Sequence, residues 1–117
     1  MRTNISAARS DDRYVLRFTA AQRSMMKSVG IFVRDRADAV DSVVRFGAES
    51  TVASNIIERT QSDNAFTPQE AHILFSVLVG TAVMIQTEEQ FYLRLGFFRE
   101  QAMDLANSLA AALSDAE

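Results

Sequence analysis

The stretch FTPQEAHILFSVLVGTAVMIQTEEQF, Phe66 to Phe91, holds no charged residue between Glu70 and Glu88 when His72 is neutral. Three structures fit such a run: a membrane span, a buried strand, or the central helix of a bundle. From Ala71 to Thr87 it covers about 25 Å as a helix at roughly 1.5 Å per residue. A hydrocarbon core is about 30 Å thick. The run also carries His72, Ser76, Gly80, Thr81 and Thr87, and acids flank it where Lys, Arg or Trp anchors would be expected. A span is therefore disfavoured. Val77, Val79 and Val83 suit a strand, but Ile73–Ile85 is long for one, and no partner strand is evident elsewhere in the chain. Thr67 followed by Pro68 and, three residues on, Glu70 has the pattern of a capping box with proline at the first helical position. A helix that is apolar nearly all round is enclosed on most sides. The expected role is the central helix of an all-α bundle.

Working outward, Thr19–Gln22 (TAAQ) and Thr87–Gln90 (TEEQ) repeat the capping pattern. From Thr19 an apolar stripe runs through Met26, Val29, Val33, Ala37, Val40 and Val44, and continues as Ala48, Val52 and Ile56. Gly47 either ends a first helix or weakens a long one. Gln61–Phe66 reads as a polar loop. Towards the end, Phe91, Leu95, Phe98, Ala102, Leu105, Leu109 and Ala112 alternate steps of four and three, a coiled-coil-like seam. The seven-residue spacing extends back to Met84 and Val77, so one helix or two could fill Pro68–Leu113, and a break near Thr87 is favoured. YVLRF, Tyr14–Phe18, is strand-like, but a lone strand cannot satisfy its own backbone. It is an extended arm, the first turns of a helix, or a strand paired across a dimer. FTAAQRSMMKSVGIFV and FTPQEAHILFSVLVGTAV agree at too few positions to make a repeat.

The 117 residues suit one domain with one core, and a hydrophobic fraction of 48% with 23% charged residues is ordinary for a globular chain. Residues 1–45 hold nine Lys and Arg against five Asp; residues 46–117 hold three Arg against ten carboxylates. The two halves can attract each other within or between chains, or the basic half can meet an anionic partner. Cys is 0, which excludes disulfides, thiolate metal sites and cysteine nucleophiles. The N-terminal MRTNISAARSDDR has no apolar signal region, so a cytoplasmic protein is expected.

Chemistry is sparse. His72 is the sole histidine and stands outside any Glu-x-x-His pair. With Ser76 and Gly80 it forms a narrow polar face at steps of four, read as helix packing or as a groove for a ligand. Asp35, Asp38 and Asp41 line one helix face among Arg34, Arg36 and Arg45, the pattern of a solvated, ion-paired surface. Arg9, Arg13 and Arg17 recur every four residues and would form a stripe able to track phosphates. Leu93 and Phe97 form a second apolar patch beside the seam, a candidate docking surface. No catalytic motif, metal-ligand set or cofactor loop occurs.

These features lead to an all-α bundle of three or four helices over residues 19–117, with a flexible or extended basic N-terminal arm over residues 1–18, assembled as a homodimer. The expected function is non-enzymatic: an adaptor, regulator or neutralising partner that binds another protein through a helical face. Leu93 and Phe97, with Arg9, Arg13 and Arg17, are the candidate partner-binding residues. The alternatives are a nucleic-acid-associated protein using the N-terminal Arg residues, and a small-ligand sensor with a groove near His72, Ser76 and Gly80. No metal, cofactor or membrane partner is expected.

Overall fold

A computed structural model of the chain describes residues 5–35, 48–62, 64–85 and 87–116. In chain order the elements are β1 (Ser6–Ser10), β2 (Arg13–Arg17), α1 (Ala20–Arg34), α2 (Ser50–Glu58), β3 (Asn64–Phe66), α3 (Pro68–Met84), α4 (Glu88–Leu95) and α5 (Arg99–Ala116), with a 3₁₀ turn at Arg59–Gln61. The strands form one antiparallel sheet in the order β1-β2-β3. The chain is thus α/β, and the expectation of an all-α helical bundle is overturned.

The correction begins at Tyr14–Phe18. β2 finds its hydrogen-bond partners inside its own chain, with Ala7 opposite Leu16 on one side and Asn64 opposite Leu16 on the other. Residues 6–17 are therefore a paired hairpin and no free arm. A two-residue turn at Asp11–Asp12 folds β1 back onto β2, and Asp11 takes a φ of 58°, a conformation that Asp tolerates better than most residues. Tyr14 and Leu16 alternate with exposed Arg13 and Arg17, so one face of the sheet is buried. Phe18 and Phe66 join them, and all four belong to the same apolar cluster as the helices.

Cap chemistry sets the helix starts. Thr19 Oγ1 accepts from Gln22 N–H at 3.2 Å while Gln22 Oε1 accepts from Thr19 N–H at 2.8 Å, the complete reciprocal box. Thr67 and Glu70 repeat it at 3.1 and 2.9 Å, with Pro68 opening α3. Thr87 accepts from Gln90 N–H at 3.1 Å, and the break between α3 and α4 lies where the sequence places it. Met26, Val29 and Val33 of the α1 stripe are buried; Ala37, Val40 and Val44, together with Gly47, Asp38 and Asp41, lie outside the described residues.

The apolar run is α3. It packs against α1, α2, α5 and the sheet, with Leu74, Val77 and Leu78 fully enclosed. The helices α5, α2 and α1 supply most of its cover, and β2 and β3 close the remainder. No helix among the described residues is long and apolar enough to cross a membrane.

The expected seam does not run unbroken. Gly96 has a φ of 81° and ends α4 in the left-handed conformation that glycine adopts without steric cost. The chain turns there, so Phe97 takes the buried place and Phe98 is turned outward. Phe91, Leu95, Ala102, Leu105 and Leu109 remain in the core.

Candidate functional site

Among the described residues, three of the six exposed large apolar side chains, Tyr92, Leu93 and Phe98, lie at the corner between α4 and α5. Glu88 and Glu89 occupy the first turn of α4, where carboxylates suit the positive end of a helix. One turn later come Tyr92 and Leu93, so each acid lies beside one of them on the helix surface. Gly96 N–H donates to Tyr92 O at 2.8 Å and closes the helix. Phe97 then turns inward and meets Phe91 edge-on, at 5.5 Å between ring centroids and 81° between planes. Phe98 turns outward and stacks on Tyr92 at 4.9 Å and 28°. Its N–H donates to Gln101 Oε1 at 2.8 Å, which fixes the start of α5. Leu93 is 73% exposed, Phe98 51% and Tyr92 47%. Arg94 is directed elsewhere, over the ring of Phe32 at 5.1 Å. The result is a stacked aromatic pair and a bare Leu beside two carboxylates.

The residues expected to act together are partly separated. Leu93 is exposed, but Phe97 is buried at 7% exposure and faces away from any partner. Phe98 takes the surface place foreseen for Phe97. Only the left-handed Gly96 could have revealed this, since periodicity alone continues the helix through it. Arg9, Arg13 and Arg17 lie on two strands. Arg13 and Arg17 share the outer face of the sheet, whereas Arg9 is opposite Tyr14 and so projects on the other face. They do not make one stripe. Arg9 Nε donates to Asp11 O at 3.1 Å, and Arg17 also has an interaction partner. His72 is exposed with Ser76 Oγ 3.4 Å from its Nε2, while Gly80 is buried in the core.

Two concavities flank the helices. A shallow groove of about 320 Å³ runs beside His72, between Tyr14, Phe75, Ala110 and Leu113. Ser76 and Gly80 are not in its lining. A second, of about 480 Å³, lies between α1 and α2 under Lys27 and Arg34, facing Asn55 and Glu58. Gly30 permits that close crossing, since a Cβ there would come 3.1 Å from Ile57 Cγ2. A polar clip joins α2, β3 and α3. Arg59 reaches Glu70 Oε2 at 2.7 Å, donates to Ala65 O, and lies 4.7 Å above the Phe66 ring. Among the described residues no group of three His, Cys, Asp or Glu could hold a metal ion. No protein-family model matches the chain, and no curated protein and no solved structure matches it significantly.

Proposed function

We propose that the chain is a non-enzymatic interaction protein of the cytoplasm that binds another protein through the α4–α5 corner. The observation carrying this reading is the Tyr92–Phe98 stack exposed beside Leu93 and next to Glu88 and Glu89. Aromatic side chains dominate the energetics of protein interfaces, and acids at the margin favour a partner of opposite sign. The partner surface is accordingly apolar with Lys or Arg around it. Holding Tyr92 and Phe98 against each other before contact lowers the ordering cost of association.

The test is to pan a random-peptide display library against the wild-type chain and to measure each selected peptide on Leu93→Glu and Phe98→Ser. The expected peptides combine Lys or Arg with Leu or an aromatic residue, and bind both variants at least about tenfold more weakly, equivalent to about 1.4 kcal/mol. Peptides that bind the variants as tightly as the wild type would place the contact elsewhere and overturn the proposal.

A further inference from the structure

β1 forms one margin of the sheet, and among the described residues no strand lies on its outer side. The turn decides which of its backbone groups are left open. Asp11 has positive φ and Asp12 does not. A two-residue hairpin loop closes on a bonded pair, so the Ser10 C=O accepts from the Arg13 N–H. Antiparallel pairs alternate between bonded and non-bonded. The bonded pairs are then Ser10–Arg13, Ala8–Val15 and Ser6–Arg17. The alternation directs Tyr14 and Leu16 towards β3, where they meet Phe66 and Asn64 at the two ends of that ladder. On β1 it leaves the N–H and C=O of Ala7 and Arg9 directed away from the sheet.

Sheet margins are ordinarily blunted by proline, bulges, short strands, charges or a covering helix or loop. SAARS has no proline and a single charge, and it pairs with β2 without a bulge. We propose that two copies of the chain join here, β1 antiparallel to β1 about a two-fold axis at Ala8, into one six-stranded sheet. A second copy fits because the strand is complementary to itself in this register. Ala7 stands opposite Arg9 of the partner subunit, so both open residues find bonded partners and no Arg meets an Arg. Ala8 meets its own copy in the closer, non-bonded position, where a small side chain suits best. Charge agrees as well. Arg9 projects on the helix-covered side, and α5, which packs against β1, carries Glu100, Asp104 and Asp115 against Arg99. Pairing brings each Arg9 towards the acidic helix of the other copy. The proposal does not rest on the reading of the α4–α5 corner.

The register makes the test sharp. Gel filtration with light scattering should report twice the 13.0 kDa chain mass. The chain has no Cys, so Ala8→Cys introduces a single thiol next to its own copy, at a Cα separation of about 4.5 Å that a disulfide can bridge. Mild oxidation should convert the variant to a covalent dimer. Ala7→Pro removes an outward N–H and should give a monomer with the wild-type circular dichroism. Ala8→Pro removes an inward N–H and should disrupt the hairpin itself. A wild-type monomer at high micromolar concentration, a dimer that survives Ala7→Pro, failure of Ala8→Cys to cross-link, or equal tolerance of proline at both positions would each overturn the proposal. Cross-linking by Ala8→Cys together with a monomeric Ala7→Pro supports it.

Discussion

Two side chains in α3 test how polar groups are accommodated. The Thr81 hydroxyl is fully buried and has no hydrogen-bond partner among the described residues. Leaving such a group unpaired costs about 1–3 kcal/mol. Valine has nearly the same shape without the hydroxyl, so Thr81→Val is expected to raise stability by about 1 kcal/mol in urea denaturation. A loss of stability would mean that the hydroxyl does find a partner. Glu70 is the opposite case. Burial pushes its carboxyl up, but the Thr67 N–H and the Arg59 guanidinium outweigh that and hold it below the usual range. A pKa lowered on folding contributes stability above the unfolded value, roughly 4.3, and loses it as pH falls through the folded value. Glu70→Gln keeps the capping contact and removes the charge. It should cost up to about 1 kcal/mol at pH 7, because the pair is partly solvated, and progressively less as pH falls through the folded value. A difference independent of pH would assign the effect to packing instead.

Among the elements, the α4–α5 turn depends on one backbone angle. Beyond its own chain neighbours, no atom of the described residues lies within 4 Å of where a Cβ on Gly96 would sit, so Gly96→Ala meets no tertiary obstacle there. Any loss must come from the left-handed φ, at about 1 kcal/mol. An unchanged melting temperature would mean that the turn relaxes. The same glycine shows what the sequence does and does not disclose. Thr19, Thr67 and Thr87 were legible because capping is settled within four residues. Met26, Val29 and Val33 were legible because a helical stripe is local. Periodicity counts positions and is blind to φ, so it carries the seam through Gly96 and exchanges the roles of Phe97 and Phe98. Leu93 was visible as an outward apolar residue; the Tyr92–Phe98 stack was not, because it needs the turn. The sheet was hidden for a different reason. SAARS shows no apolar alternation to mark it as the local hairpin partner of β2, and NAF is three residues inside a polar loop whose pairing with β2 joins positions far apart in sequence.

In the molecule as a whole, α3 is enclosed by three helices on its flanks and by the sheet. Amides around Leu74, Val77 and Leu78 are expected to exchange hydrogen only through global unfolding, and those of the last turn of α5, Ser114–Ala116, far faster. Equal protection in the two regions would contradict this placement of the core. The central strand carries another consequence, which concerns synthesis. Leu16 pairs with Ala7 on one side and with Asn64, 48 positions later, on the other. A ribosome adding about 5–20 residues per second needs roughly 2–10 s to cover that distance. Throughout that interval β2 has one margin with no β3 beside it, and Tyr14 and Leu16 have no α3 to cover them. Neighbouring nascent chains on one message meet that margin first. Slower translation after β2 has left the ribosome and before β3 and α3 have followed it should therefore increase aggregation of the newborn chain, while a delay before β2 emerges should not.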